Sequence, residues 1–245
     1  MCRFFLLALC ALLFSAPPVF GDSPTQETPL RVVSLAPSVT ETIFALGSEQ
    51  QLVGVCSFCD FPDGARRIAH VGSYSIPNVE EIIAKAPDVV IGVPPNSPDA
   101  IAALKRAGLK VVMVEVDTLA QIEAAILTVA REIGKEVAGK QLLDEIRERM
   151  AAIETRLAEA PRRRVLMVVG QQPLVAVGDG IFLNELITQA HGINIAAVTK
   201  QPWPHLSLEF AVANLPEVII DGSMGSDEKN ETQRLGVWRH FPELP

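Results

Sequence analysis

The chain has 245 residues, 49% of them apolar, with 21 Lys and Arg against 29 Asp and Glu and a formal net charge of −8. That acidic excess argues against nucleic acid or anionic lipid as a partner, because both need basic stripes. Four cysteines in the whole chain exclude a disulfide-stapled scaffold, so stability must come from an ordinary apolar core.

The first 21 residues read as an address. Arg3 is the one charge before Asp22, Phe4 to Phe14 is almost unbrokenly apolar, and Ser15, Ala16, Pro17 and Pro18 lead through small residues to Gly21. A charged start, a short apolar stretch and a small-residue cleavage zone make a secretory signal peptide over 1–21. A membrane span needs roughly 20 apolar residues, and Pro17 and Pro18 break this run sooner. No later segment is long and apolar enough to span a bilayer. The mature protein is therefore expected to be exported and soluble, in the periplasm or extracytoplasmic space. Cys2 and Cys10 leave with the signal peptide, so Cys56 and Cys59 remain.

After a polar linker over 22–30, strand and helix signals alternate. Arg31–Leu35 is a β-rich run, and Ser38-Val39-Thr40-Glu41 has the spacing of a capping box opening a helix that closes at Gly47. Leu52–Val55 reads as a strand, Asn78-Val79-Glu80-Glu81 opens a helix, and Asp88–Val93 is a buried strand. Pro98–Ala107 is a helix closed by Gly108, and Lys110–Val116 is a further strand. Alternating βα units with continuously apolar strands predict an open parallel sheet covered by helices on both faces.

From Leu119 to Glu159 the chain has no strand signal and no proline. Leu142, Leu143, Ile146, Met150, Ile153 and Leu157 recur at spacings of three and four, a helical stripe. Gly134 and Gly139 are expected to divide this stretch into a lobe helix and a longer second helix. At 1.5 Å per residue the latter spans roughly 30–40 Å before Pro161 stops it. The α/β pattern then resumes with a strand at Arg164–Gly170 and a second at Leu174–Val177 entering a tight turn at Gly178-Asp179-Gly180. A helix follows at Ile181–Ala190, another opens at Ser207, and Glu217–Asp221 is a strand.

The fold class is thus α/β: two Rossmann-like lobes with parallel sheets, joined by a long α-helix, with a ligand cleft between them. The N-terminal lobe covers 31–118, the helical linker 119–160 and the C-terminal lobe 161–245. An internal repeat supports two related lobes. At a constant offset of 129, Asn78–Ile91 matches Ser207–Ile220 with identity at Glu80/Glu209, Ala84/Ala213, Pro87/Pro216, Val89/Val218 and Ile91/Ile220.

Enzyme signatures are missing: the sequence has no nucleophile elbow, phosphate-binding loop, dinucleotide fingerprint or paired-histidine zinc motif. His70, His191, His205 and His240 are scattered without short ligand spacing, so no metal site and no cofactor is expected. The aromatics stand out instead. Phe58, Phe61, Tyr74 and Trp203 fall in expected loops, where broad faces suit a large, flat, partly apolar ligand.

The segments RVVSLAPSVTETIFALG, GVCSFCDFP, VGSYSIPNVEEIIAKAPDVVIG and PWPHLSLEFAVANLPEVII together resemble the cobalamin-binding proteins of ABC importers. These belong to the class of solute-binding proteins with a rigid helical linker. The resemblance runs from about Arg31 to about Asp221. It implies capture of cobalamin or a related corrinoid, with ligand contacts from Pro37, Phe58, Tyr74 and Trp203, and from Leu174 where the family often has an aromatic. Tyr74 stands in place of a family tryptophan and Phe58 in place of a tyrosine. The resemblance also implies that Glu80 and Glu209, one per lobe, dock a monomeric binding protein onto an ABC permease dimer. Each lies in a first helical turn, where the macrodipole favours a carboxylate.

Three further expectations complete the sequence picture. Haem or a ferric siderophore is the alternative ligand within the class, and a secreted α/β enzyme the alternative outside it. In an oxidising compartment Cys56 and Cys59 are expected to close a local disulfide, with free thiols as the other option. Members of the resembled family continue through a further strand and a long C-terminal helix. With Pro245 as its last residue, the second lobe is expected to be short of part of its sheet.

Overall fold

A computed structural model describes residues 29–223 and Trp238. The expected signal peptide and most of the linker lie outside the described residues. Among the described residues, no helix is long and apolar enough to cross a membrane.

The N-terminal lobe is built on four parallel strands, β1 (Val32–Ser34), β2 (Leu52–Val55), β3 (Val89–Gly92) and β4 (Val111–Met113), in the order β2-β1-β3-β4. Its two inner strands are apolar on both faces, and each face finds a helix layer. Val32, Val89 and Ile91 pack with Val39 and Ile43 of α1 (Pro37–Ala45). Val33 and Val90 pack with Ile82 of α2 (Val79–Ala84) and with Ile101 and Leu104 of α3 (Pro98–Arg106). Burial on both faces is what a parallel βα sheet requires.

The start of α1 differs from the capping box expected at Ser38. Pro37 occupies the first helical position, Ala36 is the N-cap, and no side chain caps the helix. Proline suits that position because its missing N–H would be unpaired there anyway. Ser38 and Glu41 therefore fall inside the helix, and Thr40 turns inward to bond Ser34 Oγ at 2.8 Å and Cys59 Sγ at 3.2 Å.

The helical stretch after Asp117 is two helices, α4 (Leu119–Glu132) and α5 (Glu136–Leu157). Thr118 and Gln121 form a reciprocal capping box at the start of α4. Ala125, Val129, Ala130 and Ile133 of this segment belong to the N-terminal core, so α4 packs as part of that lobe. Gly134, at φ +70°, separates the helices. Gly139 does not: it lies inside α5, where a Cβ would stand 2.5 Å from Ala130 Cβ. Its role is close helix packing. Along α5 only Gly139 and Leu143 are buried, and Ile153 is exposed, so most of the apolar stripe read from sequence is not core. The bidentate pair of Arg147 with Glu123, at 3.2 and 2.5 Å, holds α5 to α4. It keeps the Glu123 carboxyl below its ordinary value.

In the C-terminal lobe β5 (Arg163–Gln171) pairs with three strands. It is parallel to β7 (Gly192–Asn194) and to β8 (Val218–Asp221), and antiparallel to β6 (Leu174–Ala176). The antiparallel strand follows from the two-residue connection Gln172-Pro173, too short for a parallel crossover. Helices α6 (Phe182–Gln189) and α7 (Leu208–Asn214) complete the lobe. The lobes meet beside the linker, where Phe182 N–H donates to Asp117 O at 2.6 Å and Leu119 N–H to Glu185 Oε2 at 2.8 Å.

Candidate functional site

Ligands of open parallel sheets bind beyond the carboxyl ends of the strands, and two of the predicted contacts, Pro37 and Phe58, follow strands there. Pro37 comes after β1 as the first residue of α1 and is half-buried. Phe58 lies in the loop after β2 and is 63% exposed, as is Phe61 at 65%. Exposure this large for phenylalanine leaves ring faces free for a partner.

Tyr74 is half-buried and packs against the N-terminal core. Its hydroxyl donates to Pro94 O at 3.0 Å. Burial, with Cys56 and Asp117 nearby, pushes that hydroxyl above the ordinary tyrosine value, so it remains a donor at neutral pH. Tyr74 thus offers part of its ring but not a free hydroxyl.

On the other lobe, Trp203 is 47% exposed. It sits on an extended segment laid beside β6, where Gly178 N–H donates to Pro202 O and Ala176 N–H to Pro204 O. The approach is close enough to require glycine: a Cβ on Gly178 would stand 1.9 Å from Gln201 O. Leu174, by contrast, faces the lobe core with Leu166, Val168 and Ala176 and is only 7% exposed. Strand alternation turns its side chain inward, so little of it is exposed to a ligand.

Cys56 and Cys59 are free, buried thiols whose sulfurs lie 2.6 Å apart. The Cys59 thiol, hydrogen-bonded to Cys56 and buried, is raised well above the ordinary range. Cys56 is lowered because Cys59 and the Phe58 and Cys59 N–H groups donate to it.

Glu80 and Glu209 occupy matching places. Asn78 caps α2 by accepting from Glu81 N–H, and Ser207 caps α7 by accepting from Phe210 N–H. Both glutamates are exposed in the first turn. The Ser207 hydroxyl and the Glu209 N–H hold the Glu209 carboxyl below its ordinary value.

An apolar cavity of about 290 Å³ also lies where the lobes meet, lined by Val39, Val116, Ile122, Ile126 and Phe182 among others. It is separate from the loop aromatics and has almost no polar lining. Among the described residues no group of three or more His, Cys, Asp or Glu is placed to hold a metal ion.

Residues 32–239 match the periplasmic binding protein family. The chain belongs to that family. It is 30% identical to the vitamin B12-binding protein of Salmonella typhi over 239 residues, 97% of this chain and 87% of the relative. Among solved structures it is similar to the periplasmic vitamin B12-binding protein of Vibrio cholerae, with 27% identity and a TM-score of 0.74 over 87% of this chain and 82% of that one. It is also similar to a periplasmic haem-binding protein of Pseudomonas aeruginosa, with 25% identity and a TM-score of 0.74 over 89% and 79% of the two chains. Both structures share the two-lobed α/β fold.

Within this periplasmic binding protein fold, Asn96 is a positioning residue that the sequence did not announce. It is 4% exposed, accepts from Val93 N–H at 2.8 Å, and donates to Leu35 O at 3.1 Å and to Tyr74 O. One side chain thereby ties together the β1 end, the Tyr74 loop and the β3 end. Its partners are far away in sequence, so no local pattern marks it.

Proposed function

We propose that this protein captures cobalamin or a related corrinoid outside the cytoplasm and presents it to the permease dimer of an ABC importer. The observation that carries the reading is the set of exposed aromatic faces, Phe58 on one lobe and Trp203 on the other, in a chain whose relatives include vitamin B12-binding proteins over nearly its full length. A corrin is broad, apolar on its faces and rimmed by amides, so it needs stacking surfaces more than charge. Pro37, Phe58, Tyr74 and Trp203 are its proposed contacts. The short motifs that carry the aromatic contacts, Cys56–Pro62, Val71–Pro77 and Pro202–His205, contain no arginine or lysine, whereas an anionic ferric siderophore needs a basic cluster.

Glu80 and Glu209 are the proposed docking carboxylates. Matched charges on matched lobes suit a partner with two similar halves, met by a single copy of this protein. Haem is the second reading, favoured by the likeness to the Pseudomonas aeruginosa haem-binding structure.

Tryptophan fluorescence decides between them. Saturable quenching by cyanocobalamin, stronger than by haemin and lost in Trp203→Phe, is the expected result. Quenching by haemin alone overturns the corrinoid reading. Reversing both Glu80 and Glu209 to lysine is expected to leave that quenching intact while abolishing stimulation of the transporter's ATPase.

A further inference from the structure

We infer that His205 offers an imidazole nitrogen to the metal at the centre of a flat tetrapyrrole bound against Trp203; this rests on the corrinoid reading above. The segment carrying both residues runs as an extended strand beside β6. Gly178 N–H donates to Pro202 O at 2.8 Å, Ala176 N–H to Pro204 O at 3.0 Å, and Leu206 N–H to Leu174 O at 2.9 Å. Side chains alternate along such a strand. Pro204 is buried and Leu206 packs against the lobe core. Trp203 and His205 share the opposite face, and both are exposed. Residues two apart in an extended chain are separated by about 6.7 Å, comparable with the distance from the rim of a tetrapyrrole to its metal. An indole stacked on the rim therefore leaves the imidazole over the centre.

The repeat between the lobes sharpens the assignment. The offset of 129 that relates Glu80 to Glu209 also relates Tyr74 to Trp203 and Ile76 to His205. Ile76 is 73% exposed. One lobe thus presents an aromatic and an aliphatic side chain, and the other an aromatic and a nitrogen base. A planar ligand would be covered differently on its two faces.

The other proposed contacts and the two cysteines have no ligating atom to spare. Phe58 has none, the Trp203 indole only donates, the Tyr74 hydroxyl is committed to Pro94 O, and both thiols are buried. Among the described residues no hydrogen bond or ion pair engages the His205 ring. Imidazole is the commonest protein ligand for transition metals. The step is a ligand exchange: the ring nitrogen's lone pair enters one axial position, a water leaves, and the metal keeps its oxidation state.

Aquocobalamin carries such a water on Co(III), whereas cyanocobalamin carries a cyanide that imidazole does not displace. Binding to the full-length protein is expected to shift the visible absorption bands of aquocobalamin and leave those of cyanocobalamin unchanged. His205→Ala should abolish the shift while tryptophan quenching by cyanocobalamin persists, and His70→Ala should keep both. Quenching without a band shift, or a shift that survives in His205→Ala, overturns the role of His205 and leaves corrinoid capture standing. Absence of quenching by either corrinoid removes corrinoid capture and this inference together.

Discussion

Ala86 and Leu215 take the same left-handed backbone angle, φ 44°, at equivalent points of the two lobes. Each directly precedes a proline, and each gives its carbonyl to an arginine at the start of its lobe's first strand. Arg31 Nε donates to Ala86 O at 3.2 Å and Arg164 Nε to Leu215 O at 2.7 Å. The next residues match as well: Asp88 and Glu217 accept from the Arg31 and Arg164 N–H groups at 2.8 and 3.0 Å. Helix, turn and strand thus form one device used twice, which fixes α2 and α7, and with them Glu80 and Glu209, in matching orientations.

A non-glycine residue in the left-handed region costs about 1–2 kcal/mol, while glycine adds about 0.5–1 kcal/mol of unfolded-state entropy. Leu215 is half-exposed, so removing its side chain loses about 1 kcal/mol of burial. The strain relieved offsets the burial and entropy lost, and Leu215→Gly is expected to change stability by less than about 1 kcal/mol in urea unfolding. Ala213→Gly, in the last turn of α7, should cost up to about 1 kcal/mol. Equal losses in the two variants would show that the turn stores no strain.

Asn96→Ala is expected to have a larger effect. It strands the carbonyls of Leu35 and Tyr74 and the N–H of Val93, and an unmet buried polar group costs about 1–3 kcal/mol. A loss of about 2–3 kcal/mol in unfolding free energy should follow, with weaker ligand quenching because the Tyr74 loop is released. Asn96→Asp keeps the acceptor for Val93 but cannot donate to either carbonyl, so it should recover only part of the loss. A stability change within experimental error for Asn96→Ala would show that water replaces all three bonds.

What the sequence reveals is local, and what it hides is distant. The caps at Asn78 and Ser207 and the prolines at 87 and 216 lie within a few residues of the helices they bound, so both copies of the repeat are readable. Ser38 misleads because Pro37, one residue earlier, starts α1 and makes any cap from Ser38 impossible. Strand β7 carries only Gly192, Ile193 and Asn194, too few for a pattern, and exists because Arg163–Val165 pairs with it. Leu174 has the position of a ligand contact in the resembled family but the strand phase of a core residue. Asn96 is silent because the carbonyls it binds are 61 and 22 residues away.

Asp221 makes the C-terminal lobe sensitive to acid. Burial works to raise its carboxyl, but hydrogen bonds from the Ser223 hydroxyl and N–H, the Trp238 indole and the Gln171 amide outweigh burial and hold it below the ordinary value. A carboxyl lowered by folding contributes stability that is complete above the unfolded-state pKa and is lost as pH falls through the folded one. The stability gap between the protein and Asp221→Asn should be widest near neutral pH and close under acid conditions in a urea-unfolding series. A gap independent of pH would mean that the charge of Asp221 is not what these donors stabilise.

Cys56 and Cys59 are poised for oxidation at the base of the Phe58 loop. Their sulfurs are 2.6 Å apart and both are 1% exposed, so bonding requires little motion once an oxidant reaches them. A disulfide-exchange partner met during export would supply it: the two thiols give up two protons and two electrons, and the partner's disulfide is reduced. Protein recovered from an oxidising compartment, unfolded and alkylated, should gain no mass without a reductant and two alkyl groups after one. Two groups gained without reduction would show that the pair stays as thiols. The bond should also stiffen the loop. With the disulfide formed, quenching by cyanocobalamin is expected to saturate at lower concentration than in Cys56→Ser/Cys59→Ser, where a hydroxyl at position 59 can still accept the Thr40 bond but no crosslink forms.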